Sequence, residues 1–202
     1  PQEIRNCIYH GTYNKLLMEL NKNETWRKIL GCDEEPRMID VEYILRYFAM
    51  KDIKNTSDFN KNQIILRKFL NENMARYCDM SLEKCDNYKE NFTTIISKIY
   101  ETLGETAFNN ISYKYDENDE YVYSNQFVNK FHPTIYESIM LAFDYAIKQN
   151  AEFSNLKKKQ LDLLNDPDFK EAIAIRTTNI ENIKKRISLA TKYLFGMEYE
   201  WK

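Results

Sequence analysis

Glycine and proline are scarce in this chain, and their scarcity restricts the folds open to it more than any other feature. The 202 residues contain only four of each. The glycines follow segments in which apolar residues recur with helical spacing: Gly11, Gly31, Gly104 and Gly196. Glycine readily adopts the positive φ that commonly ends a helix. Three of the prolines stand just before or at the start of such segments: Pro36, Pro133 and Pro167. This placement predicts an all-α fold.

The spacing of apolar residues places helices along most of the chain. Over residues 41–49 they recur at i, i+3, i+4, i+7 and i+8 behind Asp40, a favourable N-cap residue. The same spacing predicts a longer helix over residues 58–77, and the most regular stripe covers residues 88–103. We expect about nine helices in an irregular multi-helix array.

Three short patterns predict where later helices begin. The spacing of Thr134 and Glu137, and that of Thr178 and Glu181, matches a capping box, in which the threonine and the glutamate each bond the backbone of the other. Asp166 is followed directly by a proline, which suits an N-cap residue and the first helical position.

The exception to the helical pattern lies around residues 112–124. Two tyrosine-containing arms flank the acidic run 116–120, and the segment is either a small β-hairpin with an acidic turn or a loop with extended arms. We expect a single helical domain over residues 1–202. If this segment divides the chain, the two parts are residues 1–110 and 125–202.

Charge and histidine content argue against several kinds of activity. The net charge is −2, so no overall positive field attracts nucleic acid and any such contact has to be local. The only two histidines, His10 and His132, lie far apart without the spacing of metal ligands. No nucleophile, carboxylate pair or phosphate-binding loop is recognisable. We therefore expect no catalytic activity and no cofactor in this chain by itself.

The cysteines and the hydropathy pattern indicate a cytoplasmic protein. The cysteines lack the C-x-x-C spacing of redox and zinc motifs: Cys7, Cys32, Cys78 and Cys85. Reduced thiols are the expected state. No signal peptide is recognisable, and no apolar run approaches the roughly 18 residues that a membrane-spanning helix needs.

The first fifty residues carry a resemblance to a known family. Its segments are Gln2, Glu3, Ile4, Arg5 and Asn6, a turn at residues 9–11, residues 13–17, Arg37 with Met38, and Glu42 with Leu45 and Arg46. Together they resemble the helical region of GmrS-like proteins, which belong to GmrSD-type, modification-dependent restriction systems. Residues 177–186 are similar to the closing helix of that region.

The resemblance implies a supporting role in phage defence. In the family a ParB/sulfiredoxin-like nucleotide-handling half with an Asp-Gly-Gln-Gln-Arg-type motif comes first, and this chain lacks that motif. Because the chain enters a predicted helix directly at Pro1, we expect a fragment of a longer protein. The complete protein would be an NTP-dependent restriction endonuclease. Expected partners are the missing N-terminal domain, which would hold the nucleotide, a nuclease domain or subunit, and DNA.

Two groups of polar residues are the candidate sites. The candidates for contact with another domain or a ligand are Gln2, Glu3, Arg5, Asn6, Arg37, Glu42 and Arg46. On a helix Gln2 and Asn6 share a face, whereas Arg5 points elsewhere. Ordinary exposed charges and a structural ion-pair cluster, including an i, i+4 pair of Glu42 with Arg46, are the alternative interpretation.

The basic residues of the C-terminal third are the candidates for DNA phosphates: Lys157, Lys158, Lys159, Lys184, Lys185 and Arg186. If their two helices pack side by side, these residues form a basic strip capable of salt-dependent binding without sequence preference. Arg186 is the strongest candidate because its planar guanidinium fits a phosphate. The alternative is a solvated helix face on a helical module that binds a protein partner and no nucleic acid.

Overall fold

Ten α-helices form most of the part of the chain that this computed structural model describes, residues 1–115, 117–118, 121–122 and 125–201. The helices are α1 (Gln2–Ile8), α2 (Thr12–Asn21), α3 (Glu24–Leu30), α4 (Ile39–Lys51), α5 (Leu66–Tyr77), α6 (Leu82–Leu103), α7 (Pro133–Lys148), α8 (Leu156–Asn165), α9 (Pro167–Ala174) and α10 (Ile180–Phe195). Short 3-10 turns cover Ile53–Asn55, Ser57–Asn60 and Gly104–Thr106. The prediction of an all-α array is confirmed.

Helix α7 lies at the centre of the packing. Most of its 16 residues are buried, because α4, α6 and α10 all pack against it. Helix α2 packs on α4 and α6, whereas α8 and α9 pack on α10. One hydrophobic core contains Leu17, Ile44 and Phe92 from before the strand region together with Ile139 and Ile187 from after it.

The strand region is a β-hairpin, and it is longer than the segment predicted from sequence. Strands β2 (Lys114–Tyr115) and β3 (Tyr121–Val122) pair antiparallel, while residues 116, 119, 120, 123 and 124 of the predicted hairpin lie outside the described residues. Strands β1 (Asn109–Ile111) and β4 (Phe127–Phe131) pair antiparallel closer to the helices. The ring of Phe131 stacks on Tyr43 of α4 at 4.3 Å, which joins the hairpin to the helical core.

The prediction of one helix over residues 58–77 is wrong in its first part. Helix α5 begins only at Leu66. The backbone N–H of Ile64 donates to the carbonyl of Thr178 at 2.9 Å, and that of Ile180 donates to Asn62 at 3.0 Å. These bonds pair residues 62–64 with a distant segment, so tertiary contact overrides the local helical pattern.

The predicted helix starts had mixed outcomes. Asp166 caps α9 as expected, since its Oδ1 accepts from the N–H of Phe169 at 2.7 Å. Both capping boxes are wrong, because the N-cap residues are His132 for α7 and Asn179 for α10. Asp40 is likewise not a cap, because Met38 precedes α4 in that position.

The glycines stop helices at three of the four predicted positions. Gly31, Gly104 and Gly196 have φ values of 64°, 75° and 68°. Gly11 instead precedes α2. A Cβ atom there would lie 1.7 Å from the backbone oxygen of Cys78, so the residue is glycine because another segment passes too close for a side chain.

Two further expectations concern the cysteines and the membrane. All four cysteines are free thiols. Among the helices in the described part of the chain, none combines the length and the apolar composition required to cross a bilayer.

Candidate functional site

Polar residues attach the first helix, α1, to the rest of the fold. Arg5 is buried and its guanidinium donates to Glu42 of α4 at 2.7 Å, to Asn71 of α5 at 2.9 Å and to Gln2 at 3.0 Å. The charged pair and both amides orient the planar guanidinium. Arg5 therefore points to the same side as Gln2, contrary to the sequence interpretation, and joins α1 to two other helices.

Asn6 extends this network to the loop before α4. Its Nδ2 lies 3.0 Å from the sulfur of Met38, and its Oδ1 accepts from Nε2 of Gln2 at 2.8 Å. Met38 has a φ of 54°, a conformation that is uncommon for a residue with a side chain. The network thus includes two candidate residues that lie 37 positions apart in the sequence, since Arg5 contacts Glu42 directly.

The outward face of α1 is apolar. Ile4 is 52% exposed and Ile8, one turn later, is 64% exposed. Ile65, just before α5, is also exposed and shares a cleft with Tyr9 at the end of α1. A surface helix of a globular protein normally buries its apolar side. In α1 this arrangement is reversed, because Gln2 and Arg5 are its buried residues.

The remaining candidates from this group lie elsewhere. Arg37 is exposed and forms no ion pair with any described residue. The predicted ion pair of Glu42 with Arg46 is wrong, because Glu42 binds Arg5 and Arg46 turns to Glu137 of α7. Glu3 is half-buried on α1.

A buried ion triad connects α4, α7 and α10. Oε1 of Glu137 accepts from Nε of Arg46 at 2.6 Å, and Oε2 accepts from Nη2 of Arg186 at 2.6 Å. Arg186 is 1% exposed and also donates to the carbonyl of Thr177 at 2.7 Å. The assignment of Arg186 to DNA phosphate is therefore wrong, because its guanidinium is in the protein interior.

The role of Glu137 in this triad does not follow from the capping-box pattern to which its spacing from Thr134 belongs. Its side chain is fully buried. The threonine of that pattern, Thr134, donates to the carbonyl of Ile173 at 3.1 Å instead of capping α7. The only signal in the sequence was a glutamate within a largely apolar helix, which a capping box explained equally well.

Only part of the predicted basic strip is free to contact DNA. Helices α8 and α10 do pack together, and Lys157 and Lys158 are exposed on α8. Lys159 donates to the carbonyl of Leu194 at 3.1 Å. The ammonium of Lys184 lies 3.8 Å from the ring centre of Phe59, and that of Lys185 lies 2.6 Å from a carboxylate oxygen of Asp168.

The histidines show no catalytic arrangement. His132 precedes α7, and its Nδ1 lies 3.0 Å from the hydroxyl of Thr134. Burial lowers the pKa of His132, and the positive charge of Lys130 lowers it further. His10 is exposed. Within the described residues, no three His, Cys, Asp or Glu side chains are grouped to hold a metal ion.

Comparisons with protein-family models, with curated proteins and with solved structures gave no match to the chain. A function must therefore be inferred from the packing and the charges of the molecule itself. Its most unusual feature in this respect is α1, with polar anchors inside and isoleucines outside.

Proposed function

We propose that this chain is the non-catalytic helical domain of a GmrS-like restriction protein and that it supports a ParB-like nucleotide-binding domain on the outer face of α1. The observation that carries the proposal is the reversed polarity of this helix. Its inner side chains are tied to α4 and α5 through Arg5, while Ile4 and Ile8 face outward.

The energetics of α1 favour a partner on that face. A helix of only seven residues is not stable by itself in water. The bonds of Arg5 to α4 and α5 and of Asn6 to Met38 fix its position, but the side chains that α1 buries are polar. Covering Ile4 and Ile8 would contribute about 1.5–3 kcal/mol for each side chain that becomes fully buried.

The identity of the proposed partner comes from the residues that anchor the helix. Gln2, Arg5 and Asn6 belong to the pattern that resembles the GmrS-like helical region. The resemblance implies that the nucleotide-handling half adjoins this helix. A helical interaction module with a different protein partner is the alternative, and the identity of the protein that binds α1 separates the two.

Replacing Ile4 and Ile8 together by glutamate is expected to weaken association with the nucleotide-binding domain. The probe is a ParB-like domain of a GmrS-like protein, with its Asp-Gly-Gln-Gln-Arg motif, supplied as a separate polypeptide. Two carboxylates placed in an apolar interface must lose their hydration, so we expect affinity to fall at least about tenfold. Isothermal titration calorimetry measures the dissociation constant.

The matched control is Leu82→Glu. Leu82 is 74% exposed at the start of α6 and lines a cleft with α2 residues such as Thr12. We expect this variant to bind like the unmodified chain, and all variants to melt at similar temperatures because the replaced side chains are exposed. Failure of the unmodified chain to bind the domain, or equal binding by the double variant, would contradict the proposal.

DNA contact is a second candidate activity, and the exposure of Lys157 and Lys158 on α8 favours it. Two lysines close together can neutralise two phosphates. The strip is weaker than the sequence suggested, because Arg186 is buried and Lys185 is paired with Asp168.

Replacing Lys157 and Lys158 by glutamate is expected to abolish binding to duplex DNA. We expect the unmodified chain to bind plain and modified duplexes weakly at low salt, with an affinity that falls as salt rises, because phosphate contacts release counterions. Fluorescence anisotropy at two salt concentrations measures the effect.

The charge-matched control is Lys22→Glu with Lys28→Glu, two exposed lysines near α3. This variant keeps DNA binding if α8 forms the contact. Absence of binding by the unmodified chain at low salt would instead support a helical module that binds no nucleic acid.

A further inference from the structure

A cleft of about 550 Å³ begins at the end of α1 and follows α5. Tyr9 and Ile65 line its apolar part, and Ile65 is 63% exposed. Arg67, Asn71 and Ala75 of α5 also line it. Residues four apart on a helix lie one above the other on the same face, so these three form one row. The cleft therefore places an exposed apolar residue beside a row that carries two polar groups.

Arg67 is the charge in this cleft that has no counter-charge. It is exposed, and its side chain forms no ion pair or hydrogen bond within the described part of the chain. The other two charged lining residues, Lys68 and Glu72, pair with each other at 3.5 Å, so their charges cancel. The lining thus has a net charge of +1, and a free guanidinium suits a planar oxyanion.

Asn71 supplies a second hydrogen-bond donor, and Arg5 determines its orientation. A guanidinium can only donate, so Asn71 presents Oδ1 to Nε of Arg5, at a distance of 2.9 Å. The Nδ2 group, on the other branch of the planar amide, donates to no described residue. The arginine that anchors α1 therefore also sets which polar group of Asn71 remains for a ligand.

The two donors and their apolar neighbour define the chemistry of the ligand. Arg67 and Asn71 are one helical turn apart, where side chains are about 5–6 Å from each other at Cβ. A carboxylate has two acceptor oxygens and can accept from both residues. A free inorganic anion would leave Ile65 uncovered, whereas an acidic side chain with apolar neighbours would cover Ile65 as well.

We propose that this cleft receives an acidic side chain flanked by apolar residues, which belongs to the polypeptide segment that covers α1. The carboxylate binds Arg67 and Asn71, and an apolar neighbour packs on Ile65. The inference rests on the function proposed for α1 where it assigns the segment to the docked domain. Apolar contact with Ile4 and Ile8 is non-directional, so the charged contact is what fixes the orientation of that domain.

Two peptides that differ only in charge test the recognition of the carboxylate. They are acetyl-Leu-Glu-Leu-amide and acetyl-Leu-Gln-Leu-amide, and a nuclear magnetic resonance titration of the α5 backbone amides measures both dissociation constants. We expect the unmodified chain to bind the acidic peptide about tenfold more tightly, the effect of one charge-assisted hydrogen bond. Arg67→Gln should remove this preference. The matched control, Arg176→Gln, replaces an exposed arginine between α9 and α10 and should retain it.

Asn71→Asp tests the second donor without removing the anchor of α1. Aspartate still offers an acceptor to Arg5, so we expect the melting temperature to be maintained. The Nδ2 donor is replaced by an oxygen that repels a carboxylate, and the acidic peptide should bind at least about tenfold more weakly. Affinity for the glutamine peptide should change little. If Asn71 served only to hold Arg5, neither peptide would respond, and that result would contradict the proposal.

The ParB-like domain gives an outcome that separates this inference from the function proposed for α1. In calorimetric titration of that domain, Arg67→Gln is expected to lower affinity about tenfold, and Arg176→Gln to leave it unchanged. If the unmodified chain does not bind the domain, the proposed function is contradicted, and the peptide preference decides on the cleft. The inference is overturned if the unmodified chain does not prefer the acidic peptide, or if Arg67→Gln and Arg176→Gln have equal effects.

Discussion

Replacing Glu137 by alanine is expected to lower the free energy of unfolding by about 4 kcal/mol, the largest effect of any single change considered for this chain. Among the described residues, Glu137 is the one carboxylate that pairs with two guanidinium groups, those of Arg46 and Arg186. Without it Arg186, which is 1% exposed, would remain as an uncompensated charge in the core. Urea denaturation followed by circular dichroism measures the change.

Glu181→Ala is the matched control for this prediction. Glu181 occupies the same position in the second Thr-x-x-Glu pattern, but it is exposed in the first turn of α10. We expect its replacement to change stability by less than about 0.5 kcal/mol. Similar losses in the two variants would mean that the triad is not the source of the effect.

A variant that lacks all three charges of the triad tests whether the loss of stability comes from an unpaired charge or from lost packing. In a variant with Arg46→Met, Glu137→Leu and Arg186→Met, no charge is left without a partner. Replacement of a whole buried ion cluster by apolar residues is often neutral or stabilising. We expect the triple variant to be more stable than Glu137→Ala. A triple variant that is less stable than Glu137→Ala would contradict the electrostatic explanation.

The elements that could be predicted from sequence are those that local chemistry decides. The apolar stripe of α6 runs up to Gly104, whose positive φ was expected. Asp166 caps α9 because its side chain needs only the next three residues to do so. The prediction of a helix at residues 62–64 was wrong for the opposite reason, because their backbone pairs with the distant segment before α10.

In the candidate site, too, local features could be predicted from sequence and distant contacts could not. The polar pattern of α1 could be recognised as unusual, but the contact of Arg5 with Glu42 spans 37 positions and leaves no periodic signal. Glu137 shows a further limit of prediction from sequence. A Thr-x-x-Glu spacing is compatible with a capping box and with a glutamate that faces the core, and only the positions of Arg46 and Arg186 decide between them.

Asp40 gives the second large effect, because this residue organises the junction of α2, α3 and α4. It is 1% exposed, and its carboxylate accepts from Arg27 at 2.7 Å, from Asn21 at 3.0 Å and from the backbone N–H of Glu35 and Val41 at 3.1 and 2.9 Å. Asp40→Ala leaves all four donors without this acceptor. We expect a loss of about 3 kcal/mol at neutral pH, measured by urea denaturation.

The pH dependence of this loss tests its cause. Burial would raise the pKa of Asp40, but the hydrogen bonds from Asn21, Glu35, Arg27 and Val41 hold it below its usual value. As the pH falls below about 4, the unfolded chain takes up a proton at this position before the folded chain does, and the folded state loses the contribution of the carboxylate. The stability difference between the unmodified chain and Asp40→Ala should therefore narrow on acidification.

Asp33→Ala is the control for this last prediction, since Asp33 is exposed in the loop before α4. Its replacement should change stability little at any pH. The decisive quantity is the difference between the unmodified chain and Asp40→Ala at pH 7 and at pH 3, because other carboxylates titrate equally in both proteins and cancel. A difference that stays constant or widens on acidification would show that the charge of Asp40 does not hold the junction together, and that packing of its neighbours does.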